Sequence, residues 1–195
     1  MKRILASGFA LLTLLLCGCA SNTAAAENVQ KQYAAIETAQ MEAKVVCHLT
    51  GESRTYVLCC DWDVDRAATT VTAPEELRGV TATVSPDGLE VVYDGVALSA
   101  GELRDICPAN CLPWLLRALG SGYLLEQSRE ELNGISCQRF TLDTTAASGE
   151  KVLCTVWIDG DTLVPRYAEF TQDDKVVLTV EMQAFSCTVG EIMED

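Results

Sequence analysis

Residues able to do chemistry are few in kind. The chain carries a single histidine, His48, among its 195 residues. That removes most Ser-His-Asp and Cys-His arrangements and most imidazole metal sites, since each needs an imidazole as base or ligand. His48 itself falls on the polar side of an alternating stretch and reads as a surface residue. No Gly-x-Ser-x-Gly elbow, phosphate-binding loop, Gly-x-Gly-x-x-Gly or His-Glu-x-x-His is present. Asp61-Trp62-Asp63-Val64-Asp65 has the opening of a calcium loop. Arg66, however, stands where a glycine should make the turn, and Thr72 where a bidentate glutamate belongs. The segment reads as a solvated hairpin. Glu75-Glu76 and Glu130-Glu131 are adjacent and point apart on strands, so neither makes a facing acid–base pair. The expectation is a non-enzymatic protein with no metal and no cofactor.

Cysteine is the exception, with ten copies. Eight lie in the body of the chain: Cys47, Cys59, Cys60, Cys107, Cys111, Cys137, Cys154 and Cys187. An even number invites disulfides in an exported protein. A domain of this length can nevertheless bury a core without staples, and thiols at apolar strand positions pack as small hydrophobes. Cys59 and Cys60 are neighbours on one strand and face opposite ways. Cys107 and Cys111, four residues apart, are the local pair that an oxidising compartment would join. Bridged and free thiols both remain open from the sequence.

The other two cysteines sit near the start. Lys2 and Arg3 precede an apolar run over residues 4–16, the layout of a secretory signal. The run falls short of the roughly 20 apolar residues needed to span a bilayer. It ends in Leu16-Cys17-Gly18-Cys19, which resembles the lipobox of bacterial lipoproteins: an aliphatic residue, two small ones, and the cysteine that receives diacylglycerol. The resemblance implies a signal peptide over residues 1–18, lipid attachment at Cys19 and a small, polar lipidated tether over residues 19–26. Each buried acyl CH₂ contributes about 0.8 kcal/mol, so several chains anchor firmly. The protein is therefore expected at the bacterial cell membrane, lipid-anchored and facing the extracytoplasmic side.

Charge narrows the partners. With 14 Lys+Arg against 28 Asp+Glu, the net charge is −14 and the pI about 4.4. Such a surface repels nucleic acid, whose binders neutralise phosphates with cations, and it suits a basic protein. Hydrophobic residues make up 49%, enough for a packed core.

These features need elements to hold them. The periodicity is helical over residues 27–46 and then changes to two. Ala43, Val45, Cys47 and Leu49 share one strand face, as do Tyr56, Leu58, Cys60 and Trp62 on the next. Strands are predicted at 67–72, 80–85 and 89–93, with turns at Pro86-Asp87-Gly88 and Asp94-Gly95. Alternation lapses over 99–133. There Trp114-Leu115-Leu116-Arg117-Ala118-Leu119 forms a short apolar helix ending at Gly120, and residues 123–132 read as a second helical stretch. Strands resume near 135–143, 151–159, 165–171 and 175–185. Trp114, Leu115, Leu116 and Leu119 are candidates for a lid over an apolar cleft, floored by Leu178, Val180 and Met182 of the last strand. The alternative is that they complete the core.

Two further sets of residues carry a resemblance. Pro74-Glu75-Glu76-Leu77-Arg78-Gly79-Val80-Thr81, followed by Asp87-Gly88 and Val92-Tyr93-Asp94-Gly95, is similar to the LolA/LolB-like lipoprotein-carrier superfamily. So is Trp157-Ile158-Asp159 with Thr162, Pro165 and Glu169. Within that superfamily the sequence most resembles clostridial germination-type (GerS-like) lipoproteins. The resemblance covers most of residues 27–187. It implies a mainly β (α+β) domain over residues 27–195: a curved antiparallel unclosed β-barrel of about nine to eleven strands. An N-terminal helix and a helical insertion would lie on its concave side. Functionally, it implies that an acyl chain, lipid or lipoprotein is held in an apolar cleft. In other branches of the superfamily the scaffold binds a protein partner, which here would be an envelope or spore-cortex enzyme to position or activate.

Overall fold

In the computed structural model the described residues are 20–49, 51–101, 105–145, 149 and 151–190. Cys19, the assigned lipid site, lies outside them, as does the signal region. Eleven strands form one antiparallel sheet in the order β6-β5-β4-β3-β2-β1-β11-β10-β9-β8-β7. They are β1 (Ile36–Cys47), β2 (Arg54–Asp63), β3 (Ala67–Ala73), β4 (Thr81–Ser85), β5 (Gly88–Tyr93) and β6 (Val96–Gly101), then β7 (Tyr123–Leu132), β8 (Ile135–Asp143), β9 (Leu153–Asp159), β10 (Pro165–Gln172) and β11 (Lys175–Val189). Among the described residues two α-helices accompany them, α1 (Ala20–Ala34) and α2 (Cys111–Ser121), with one 3₁₀ turn at Glu75–Leu77.

The topology is two meanders joined at the middle. Strands β1 to β6 run outward one way and β7 to β11 return, so that β11 pairs with β1 at the centre. β6 and β7 are left as edges, and the sheet does not close. The chain passes from one edge to the other through the connection that carries α2. This is the unclosed antiparallel barrel expected from the resemblance.

Two local expectations need correction. The leading helix ends at Ala34, and residues 36–47 are strand, alternating buried and exposed from Ala39 to Val45. Ala39, Met41 and the intervening Glu, Gln and Lys are good helix formers, but pairing on both sides with β2 and β11 overrides that preference. The helix begins at Ala20, inside the stretch read as a tether, and Ala26 is buried. Residues 123–132 are a strand rather than a second helix. As an edge strand with one neighbour, β7 carries polar side chains on both faces, so the period-two signal is absent.

The core lies between the helices and the middle of the concave face. Val29, Tyr33, Leu112, Leu115 and Leu119 of the helices meet Val45, Leu58, Phe140, Val156, Phe170 and Leu178 of the strands. Close helix packing depends on Gly120, where a Cβ would come within 3.2 Å of the Ala34 amide nitrogen. Polar ties fix the helices further. Gln30 Nε2 donates to the Gly122 carbonyl at 2.7 Å, and the Tyr33 hydroxyl donates to the Leu163 carbonyl at 2.7 Å. Trp114 Nε1 donates to Thr144 Oγ1 at 2.9 Å.

Candidate docking face

The structure brings all the predicted lid and floor residues together. Trp114, Leu115, Leu116 and Leu119 of α2 are buried, as are Leu178 and Val180 of β11, while Met182 is partly buried against the same cluster. They fill the concave side instead of lining an opening. The void beside them, bounded by Ala26, Val29, Leu119, Leu124, Phe140 and Leu142, is about 10 Å³. A drug-sized ligand needs on the order of 300 Å³ or more, and this volume holds about one water. The expected apolar cleft under α2 is thus closed, because side chains of both helices, among them Val29, Tyr33, Leu115 and Leu119, fill the curve of the sheet.

The cysteines belong to the same packed interior. All eight are free thiols. Cys107 and Cys111 are not bridged: the Cys111 thiol lies 3.5 Å from the Pro108 carbonyl, and the Cys107 amide donates to Asn110 Oδ1 at 2.8 Å. Asn110 Nδ2 in turn donates to the Asp105 carbonyl. The loop is therefore held by an asparagine, without a covalent staple. Burial pushes the Cys60 thiol up to about 11, partly offset by the Thr69 hydroxyl beside it. It raises Cys111 well above the usual thiol value, with Cys107 adding to the effect, and it also raises Cys154. Protonated, enclosed thiols of this kind are poor nucleophiles.

Coverage of the concave face ends before the sheet does. One cross-strand row runs Met41, Cys60, Thr69, Ala82, Val91, Leu98 from the centre to the β6 edge. Along it exposure climbs from 3% at Met41 through 7% at Ala82 to 63% at Leu98. Tyr93 and Val96, opposite each other in the β5–β6 hairpin, face the same way at 51% and 59%. Val84 and Leu89 are half-buried partners in the next row. The convex side of these strands is mostly polar, with Thr81, Thr83, Glu90 and Ser99. The apolar alternation of β4–β6 therefore points into the hollow of the sheet, where a soluble protein ordinarily covers it.

The hairpin that presents this face is well specified. Asp94 and Gly95 take φ of 48° and 76°, the two left-handed positions of a tight two-residue turn whose twist matches the strands. β6 itself, six residues all exposed, was not singled out as a strand in the sequence. Ala97, Ser99, Ala100 and Gly101 are small residues with weak strand preference. The signal that would have found it is Val96 and Leu98 two apart, directly after a hairpin turn.

The opposite edge is built differently. On the convex side of β7 and β8, Arg139 Nη1 donates to Glu126 Oε2 at 3.1 Å, and Trp157 Nε1 donates to Glu130 Oε2 at 2.8 Å. The Arg139 guanidinium lies 5.6 Å from the Trp157 ring centre. Asp159 completes the Trp157-Ile158-Asp159 motif with a structural role. Its Oδ1 accepts from the amides of Asp161 and Thr162, and Oδ2 pairs with Arg166 Nη2 at 2.6 Å. Arg166 and those amides hold its carboxyl well below the usual carboxylate range. Asp63 of the supposed calcium loop does similar work, accepting from the Asp65 and Arg66 amides. His48 is exposed, with Nδ1 2.8 Å from Ser53 Oγ. The described helices include none long and apolar enough to cross a membrane.

No protein-family model matches the chain, and no curated protein matches it. Solved structures do. A conserved protein from Thermus thermophilus matches with a TM-score of 0.50 at 10% identity, over 85% of this chain and 86% of that one. A LolA superfamily protein, NE2245 from Nitrosomonas europaea, gives 0.46 at 10% identity over 85% and 94%. The structure of the CwlD amidase from Clostridioides difficile in complex with the GerS lipoprotein gives 0.37 at 19% identity over 82% and 92%. At these identities the likeness is one of fold. The fold shared with the Thermus protein is an unclosed antiparallel sheet packed by helices.

Proposed function

We propose that this chain is a lipid-anchored, extracytoplasmic and non-catalytic docking module. It binds a protein partner on the concave face of β4–β6 and so positions or activates a cell-envelope enzyme at the membrane. The observation that carries the reading is the bare apolar face formed by Tyr93, Val96 and Leu98, more than half exposed beside a fully packed core. The filled interior supports protein docking over carriage of an acyl chain: the space under α2 is about 10 Å³, and the larger groove of about 500 Å³ across β1–β3 and β11 is lined by Gln40, Asp61, Asp63, Arg66 and Thr188, which do not suit an acyl chain. The lipobox-like Leu16-Cys17-Gly18-Cys19 supplies the anchor.

Two measurements test it. A photo-crosslinking amino acid at Leu98, in cells that produce the protein, is expected to yield one defined adduct that Val96→Lys abolishes. The same group at Lys44, on the convex side, is expected to yield none. Absence of any adduct at Leu98, with the protein present at its normal level, overturns docking. Cys19→Ala is expected to end fatty-acid labelling and move the protein to the soluble fraction; labelling that persists refutes the anchor site.

A further inference from the structure

We infer that the partner docks by strand addition: a basic, apolar-alternating extended segment pairs antiparallel or parallel with β6 as a twelfth strand. This rests on the docking reading above and names the chemistry of what docks.

Three observations converge on it. First, β6 is an unprotected edge. Natural edge strands are blunted by charges, prolines or bulges, and Val96-Ala97-Leu98-Ser99-Ala100-Gly101 has no charged residue and no proline. In the two-residue hairpin, Tyr93 and Val96 close the turn as a bonded pair. By the antiparallel alternation, Val96 and Leu98 then bond to β5 while Ala97 and Ser99 turn their N–H and C=O groups outward. Those outward groups are what an added strand uses. The β5–β6 pair has its one register shift at the Gly101 end, between Leu89 and Glu90, and stays regular from Val96 to Ser99, whereas β7 carries Glu126, Arg129, Glu130 and Glu131 besides its own shift between Leu124 and Glu126.

Second, the side chains flanking that edge set the pattern of the incoming segment. On the concave side it would meet Val96, Leu98 and, one strand further, Val91 and Tyr93. Apolar residues must therefore recur every second position on that side of the visitor.

Third, the charge around the site has one sign. Residues 74–101 contain five acidic residues, Glu75, Glu76, Asp87, Glu90 and Asp94, and one cation, Arg78. Arg78 is already paired with Glu75 at 2.7 Å. The remaining alternate positions of the visitor are therefore basic. An acidic segment, including a second copy of this strongly acidic chain, is disfavoured by like charge, and so is an anionic lipid surface.

The test uses the full lipidated chain in detergent, with capped Lys-Val-Lys-Val-Lys-Val-Lys as probe at millimolar concentration and residue-resolved amide exchange as readout. Exchange at Ala97 and Ser99 is expected to slow at least tenfold, with the exposed edge of β7 unchanged. Replacing every lysine of the probe by glutamate is expected to remove the effect, and raising the salt to weaken it. Ala97→Pro deletes one outward N–H and should weaken binding at least tenfold. Leu98→Lys, which leaves the backbone intact, should do the same by placing a cation against the basic probe. Probe binding with Ala97 and Ser99 unprotected, equal binding of the acidic probe, or protection of the same amides by phosphatidylglycerol vesicles in place of the peptide would each overturn strand addition. If crosslinks from Leu98 persist while Ala97→Pro captures the partner as well as wild type, docking stands and only the strand mode falls. If the crosslinks vanish as well, both fall.

Discussion

The concave face has two halves that obey the same pattern and meet opposite fates. Over β1, β2 and β8 to β11, inward residues such as Leu58, Phe140, Val156 and Leu178 are sealed under α1 and α2. Over β4 to β6, inward residues of the same type emerge step by step, from buried Ala82 through half-buried Val84, Leu89 and Val91 to exposed Tyr93, Val96 and Leu98. Both halves alternate apolar and polar, so strand patterning does not distinguish them; only the reach of the two helices does. An inward apolar residue marks which side of a sheet is the hollow, and the covering element decides whether that hollow is core or surface.

The comparison is sharpened most by deletion in the two halves. Leu115→Ala in the covered half should lower unfolding free energy by about 2–5 kcal/mol, read by urea denaturation of the full chain in detergent. A loss below about 1 kcal/mol would mean that α2 is a loosely seated lid and that the cleft reading should return.

Asp159→Asn comes next. It removes the charge that Arg166 and two amides hold at the β9–β10 turn, and should lower Tm by roughly 5 °C at pH 7. Because the folded carboxyl sits below its unfolded value, this stabilisation is fully present above about pH 4 and fades as the pH falls through the folded value. The Tm difference between variant and wild type should therefore close in acid; a difference that stays constant down to pH 2 would refute the ionic cause.

Thiol reactivity tests the seal of the covered half without mutation. Iodoacetamide at pH 8 should modify exposed Cys187 in the native protein, and Cys60, Cys111 and Cys154 only after denaturation. Mass spectrometry of the peptides gives the order, and early modification of Cys111 would show the covered half to be open. The smallest expected effect is at the bare end. Leu98→Ala should change unfolding free energy by no more than about 0.5 kcal/mol, since the side chain has little burial to lose. A larger loss would mean that Leu98 is packed and not presented.

Much of this was legible beforehand, unevenly. The β5 alternation of Leu89, Val91 and Tyr93 and the Asp94-Gly95 turn could be read directly, because strand period and turn chemistry are local. So could the apolar face of α2. The strand character of residues 36–42 was hidden, since Ala, Glu, Gln and Met prefer a helix until two neighbouring strands claim them. β7 was hidden because its stabilisation lies in ion pairs and a Trp157–Glu130 bond made across strands, which leave no period in the chain. The site was the hardest part. Trp114, Leu115, Leu116 and Leu119 announce an apolar surface, but whether the two expected helices seal the cleft or leave it open depends on a close approach at Gly120 that no spacing encodes. Val96 and Leu98 look unremarkable in sequence and acquire meaning only from where coverage stops.

The join between β1 and β11 has a consequence of its own. Ile36 lies opposite Val189 and Cys47 opposite Leu178, so the middle seam of the molecule is stitched from segments separated by most of its length. Such distant pairings delay assembly, because a long loop must be closed before they contribute. A nascent chain lacking residues 175–189 has two unfinished flaps, with β1 and β10 both bare along one side, until the last stretch of polypeptide arrives. Truncation from that end therefore opens the molecule at its centre, not at its rim.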